Sequence, residues 1–168
     1  MYGNNHLIQG NTVEYVYAKP EYEVVGKELS GINVAGSGHR VLDNNIAFAG
    51  KRGIMVGPGD TDIYIAGNDI KNCGFSGGYN AGIVIQVWDS ANPFNMRTTI
   101  ENNRVWDDQA TPTTKYGLNL LPDKGSIIAL VVKDNDFSGA SVVGIIAWES
   151  EDIVSPTFEN NLGGIQLN

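Results

Sequence analysis

Cysteine is all but missing from this chain. Cys73 stands alone among 168 residues, with only two histidines beside it, so an intrachain disulfide is excluded. Zinc sites built from four cysteines, or from two cysteines and two histidines, are excluded by the same count. Positive charge is scarce: 11 basic residues face 19 acidic ones, a formal net charge of −8. Such a chain has no electrostatic footprint for a phosphate backbone, so neither nucleic acid nor an anionic membrane surface is an expected partner. No apolar run approaches the roughly 18 residues that a membrane-spanning helix needs. The segment Met1-Tyr2-Gly3-Asn4-Asn5 lacks the basic head and apolar stretch of a secretion signal. Leucine is sparse as well, nine residues against 16 isoleucines and 15 valines. With 21 glycines and 18 asparagines, that balance predicts many short strands joined by tight turns rather than helices.

What the chain does have is an internal repeat. An apolar residue, two residues, asparagine, one residue and a second apolar residue recur as Ile8-x-x-Asn11-x-Val13, Val41-x-x-Asn44-x-Ile46, Ile65-x-x-Asn68-x-Ile70, Ile100-x-x-Asn103-x-Val105 and Val132-x-x-Asn135-x-Phe137. A shortened copy occurs at Phe158-Glu159-Asn160-Asn161-Leu162. A second motif alternates with the first, a glycine leading alternating apolar residues: Gly31-Ile32-Asn33-Val34, Gly53-Ile54-Met55-Val56, Gly82-Ile83-Val84-Ile85, Gly117-Leu118-Asn119-Leu120, Gly144-Ile145-Ile146-Ala147 and Gly164-Ile165-Gln166-Leu167. Uneven spacing between copies fits fixed strands joined by loops of variable length. Period-two alternation predicts one buried and one wet face for each strand. The asparagine is expected to turn a corner in left-handed backbone and to stack, amide on amide, with its counterparts on neighbouring turns.

These interleaved motifs, running from Asn5 to Leu167, resemble the right-handed parallel β-helix of the pectate-lyase-like superfamily. The expected fold is all-β, a single-stranded right-handed parallel β-helix (solenoid) of about six coils. It forms one domain over residues 1–168 and is expected to be a fragment of a longer protein. The resemblance implies a groove over the outward face of the glycine strands, where Asn33, Met55, Val84, Gln86, Asn119, Ile146, Trp148 and Gln166 would point. None of these is charged, whereas β-elimination needs a strong base and a cation for the uronate carboxylate. Elimination is therefore disfavoured against hydrolysis.

Acids recur in the loops beside these strands. The candidate catalytic carboxylates are Asp89, Asp107, Asp108, Asp123 and Glu149, because stacked turns about 4.8 Å apart permit the carboxyl separations that glycosidases use. Trp88, Trp106 and Trp148 each adjoin an acid and are candidate platforms for sugar rings, with Arg97, Lys115 and Tyr116 as further substrate contacts. The competing reading is that loop acids are solvated turn residues and that the tryptophans pack or join subunits. Long inserts at 72–81, 87–99, 106–116 and 123–127 are expected to wall the groove, with 14–30 as a further wall. No cofactor is expected. Calcium is the cation that Asp60-Thr61-Asp62 and the acids of 149–152 would suit, although neither matches a recognised binding loop.

The functional expectation is a polysaccharide-recognising or polysaccharide-degrading domain at an extracellular or virion surface, acting through a carboxylate pair if catalytic. The alternative is a non-enzymatic shaft or adhesin segment of a trimeric tailspike or appendage. The expected partners are accordingly a polysaccharide and either two further copies of the chain or the rest of a longer one.

Overall fold

The computed structural model describes residues 2–16, 29–75 and 80–168, and their strands pair in parallel throughout. The chain coils into a parallel β-helix. A seven-stranded glycine sheet contains Tyr2–Asn4, Ser30–Ser37, Arg52–Val56, Ala81–Gln86, Tyr116–Leu121, Val143–Ala147 and Ile165–Leu167. The first half of the asparagine motif forms a six-stranded second sheet: Leu7–Gln9, Arg40–Leu42, Tyr64–Ala66, Thr99–Glu101, Val131–Lys133 and Thr157–Glu159. The other half forms a five-stranded third sheet from Thr12–Glu14, Asn45–Ala47, Asp69–Lys71, Arg104–Trp106 and Asp136–Gly139. Three short strands, Phe94–Met96, Ser126–Ile128 and Ile153–Val154, complete the circuit between the glycine and second sheets.

The asparagines stack as the spacing predicts. Each side-chain amide nitrogen donates to the Oδ1 of the next coil: Asn11 to Asn44 (3.0 Å), Asn44 to Asn68 (2.9 Å), Asn68 to Asn103 (2.8 Å), Asn103 to Asn135 (3.0 Å) and Asn135 to Asn161 (2.8 Å). Their backbone N–H groups donate to the same oxygens. From Asn44 to Asn161, each amide also donates back to a carbonyl of the preceding coil, from Ile8 to Val132. A buried polar column is thus satisfied almost entirely by its own repeats.

The corner itself differs from the expectation. The ladder asparagines are not in left-handed backbone; the residues before them are, namely Gly10, Asp43, Gly67, Asn102, Asp134 and Asn160, at φ between 51° and 67°. These are the residue types that tolerate positive φ. The asparagine proper is left free to point its amide along the column.

The motif glycines are packing devices. A Cβ on Gly31, Gly53, Gly82 or Gly117 would lie 2.4–2.6 Å from the side chain of Ile46, Ile70, Val105 or Phe137 of the third sheet. Each of these glycines faces the core, and so does the residue after it, as the burial of Ile32, Ile54, Ile83 and Leu118 shows. Strict alternation therefore starts only beyond the glycine.

The outward column of the glycine sheet also departs from the expectation of a wet face. Asn33, Met55, Val84, Asn119, Ile146 and Gln166 align in register as expected. Only the end members Asn33 and Gln166 are exposed; Met55, Val84 and Asn119 are 0% exposed and Ile146 2%. Met55, Val84, Ala81 and Leu121 form a second apolar cluster against which Tyr116 packs. The middle of this face is sealed, so an open groove does not run along it.

Candidate functional site

A groove does open at the trailing edge of the glycine sheet, beside the early coils. Asn33, Val34, Ala35, Gly57, Pro58, Trp88 and Asp89 line a concavity of about 300 Å³. Trp88 remains 42% exposed, and its indole lies against Gly57, where an added Cβ would come within 3.2 Å of the ring. A side chain at Gly57 would press on the indole and shift it by a few tenths of an ångström.

Beneath this floor sits Asp60. It is 2% exposed, and its carboxylate accepts hydrogen bonds from the Gly36 N–H at 2.6 Å and the Gly57 N–H at 2.8 Å. Burial outweighs those two N–H donors and the nearby His39, and pushes the Asp60 carboxyl up to about 6. One side chain thus ties two successive coils directly behind the groove-lining residues Ala35 and Gly57.

The expected site residues fall into separate groups. Asp89 lines the groove, with Oδ1 accepting from Ala91 N–H and Oδ2 from the Asn92 amide, both at 2.9 Å. The Asn92 amide, and then the Ala91 N–H, hold its carboxyl below the usual range. Asp123 lies one coil further on, exposed and accepting from the Gln86 amide at 2.7 Å. Trp148 and Glu149 follow the strand after that, and Glu149 adopts left-handed backbone at φ 49°. Trp148 aligns with Leu121 and Gln86, two residues short of Trp88, so the two indoles do not share a column.

The other candidates stand at the opposite edge. Trp106, Asp107, Asp108, Lys115 and Tyr116 precede or begin Tyr116–Leu121, a six-residue strand that separates them from Asp123 by roughly 20 Å. Lys71 and Arg104 both lie over the Trp106 ring, their charged groups 4.6 and 4.7 Å from its centroid, and the indole N–H donates to Asp69. Burial disfavours the charge on Asp107, yet the N–H groups of Thr114, Gln109 and Thr113 prevail and hold its carboxyl below the usual range. Asp108 accepts from the Asn72 amide and pairs with Lys71. Arg97 stands at the corner before Thr99–Glu101 and makes a two-pronged ion pair with Asp62 at 2.6 and 2.7 Å. These acids organise loops.

Asp60 and Asp62, read above as hard oxygens for a cation, have their oxygens engaged with N–H groups and with Arg97 respectively. Among the described residues no cluster of three or more His, Cys, Asp or Glu is arranged to hold a metal ion. Of the inserts read as walls, 17–28 and 76–79 lie outside the described residues.

Residues 1–162 match the family model of the right-handed beta helix region. The chain belongs to the right-handed β-helix family. No curated protein and no solved structure matches it. Within this right-handed β-helix, Asp60 has a role other than the cation ligand read from the sequence: a buried carboxylate that ties two coils. Gly57-Pro58-Gly59-Asp60 announces a tight turn, but the burial of its carboxylate depends on Gly36, one coil earlier.

Proposed function

We propose that this β-helix is a glycan-recognition module that seats a sugar ring on Trp88. The observation that carries the reading is the half-exposed indole held against Gly57 in a concavity of about 300 Å³, with Asn33 and Asp89 at its rim. An apolar ring face flanked by a few polar groups suits a saccharide, which stacks its C–H face and hydrogen-bonds its hydroxyls. Recognition is favoured over hydrolysis. Glycosidases need two carboxyl groups facing one bond, roughly 5 Å or 6.5–9.5 Å apart, whereas both oxygens of Asp89 serve its own turn and Asp60 is sealed from solvent. Such a module would act at an extracellular or virion surface, on a polysaccharide. A glycan array probed with the chain and with Trp88→Ala tests this reading: binding by the parent and loss of signal in the variant are expected. Equal signals from the two proteins would overturn it.

A second reading, a shaft segment of a trimer, draws on the exposed apolar residues Val142, Trp148 and Val154, all at least 40% accessible on the later coils. Mass in solution tests it. A trimer that dissociates on Trp148→Ser would support the shaft, and a monomer would remove it.

A further inference from the structure

We infer that the Trp88 groove selects uncharged sugars and discriminates against polyuronates, an inference that rests on the glycan reading above. The argument is electrostatic. A uronate chain carries a carboxylate on every residue, and binding several in a row requires cations in the groove to replace their hydration. Among the described residues that line it there is no lysine or arginine. The charge that does line it is negative, the Asp89 carboxylate, and a second carboxyl, Asp60, lies directly behind Gly57.

The basic residues read from the sequence as substrate contacts, Arg97 and Lys115, are engaged or elsewhere. Arg97 is locked to Asp62 at another corner, and Lys115 stands at the far edge of the glycine sheet. Arg52, also at that edge, is 4% exposed. Lys124, exposed, is the one described cation whose charge acts on Asp89, and one lysine at the rim does not match a repeating anion. The chain as a whole, at −8, adds long-range repulsion. The groove instead offers the indole face, the apolar surface of Ala35 and Pro58, and amide and carboxylate acceptors suited to hydroxyl and N-acetyl groups.

Calorimetric titration of the full chain with oligomers of equal length tests the inference, using cello-, manno- and chito-oligosaccharides on one side and oligogalacturonate and oligoalginate on the other. At least one uncharged series is expected to bind about tenfold or more tightly than either oligouronate, with little change between about 50 and about 500 mM salt. Trp88→Ala should lose that binding by about tenfold or more. Oligouronate binding as tight as that of every uncharged series, or tighter, would overturn the selectivity while leaving glycan recognition standing. Binding of neither class, or binding indifferent to Trp88→Ala, would overturn the glycan reading itself.

Discussion

Each inner ladder asparagine, from Asn44 to Asn135, uses one amide three ways: it accepts from the coil before it, donates to the coil after it, and donates to a backbone carbonyl behind it. Asn103 is 1% exposed, and truncating it would strand the Asn68 N–H and the Ile65 carbonyl in a dry interior and take one of three acceptors from the Asn68 amide. At roughly 1–3 kcal/mol per orphaned buried group, Asn103→Ala is expected to cost about 3 kcal/mol or more in urea unfolding. Asn11→Ala, at the exposed end of the ladder, should cost under about 1 kcal/mol. Asp60 gives the residue-scale prediction for pH. Its folded-state carboxyl is raised from 3.8 to about 6, so the folded protein prefers the protonated form. The associated stability is complete below pH 4 and is lost as pH rises through about 6, a swing on the order of 2 kcal/mol. Unfolding of the parent and of Asp60→Asn from pH 4 to pH 8 should show the parent losing ground steadily; a difference independent of pH would contradict this. The ladder was legible in the sequence because it repeats. Asp60 was not, because a single acid reveals its burial only through the coil packed against it.

At the scale of elements, the glycine strands show where alternation stops being a guide. Their inner faces were legible, since Ile32 and Val34, or Leu118 and Leu120, do point into the core. The glycine before them was legible as a close-packing residue, but its packing partner was not, because that lies across the column. Gly53→Ala would drive a methyl to 2.4 Å from the Ile70 side chain and 2.7 Å from the Gly82 carbonyl oxygen. A cost of about 1–3 kcal/mol is expected from such overpacking, read as a fall in the urea midpoint. Gly10 makes the opposite case. It lies at φ 67° with nothing within 4 Å of an added Cβ, at a corner where four of the five other coils carry Asp or Asn. Gly10→Asn should leave the midpoint nearly unchanged, within about 0.5 kcal/mol. The outer face was misread for a related reason: period two distinguishes inside from outside, but not an outside open to water from one that is covered.

For the whole molecule, loops vary while the ladder keeps time. Successive ladder asparagines are 33, 24, 35, 32 and 26 residues apart, yet their amides meet at 2.8–3.0 Å each time. The coil is therefore the unit that can be removed. Deleting residues 45–68, 24 residues from one rung to the next, joins Asn44 to Asp69 and brings Asn44 onto Asn103 in the role of Asn68. A cooperative melt with β-rich circular dichroism is expected to survive that deletion. Deleting 45–56 alone, half a coil, should abolish it, since register would fail in every sheet. The split of the acids between two edges follows from the same geometry, for residues close in sequence sit a strand length apart. The amide ladder also has a heading: along it, hydrogens are handed toward the C-terminal coils and never returned in kind. Two such columns could not be spliced nose to nose, where N–H would confront N–H, and any lengthening of this architecture must be vectorial, like links added to a chain with hooks on one side only.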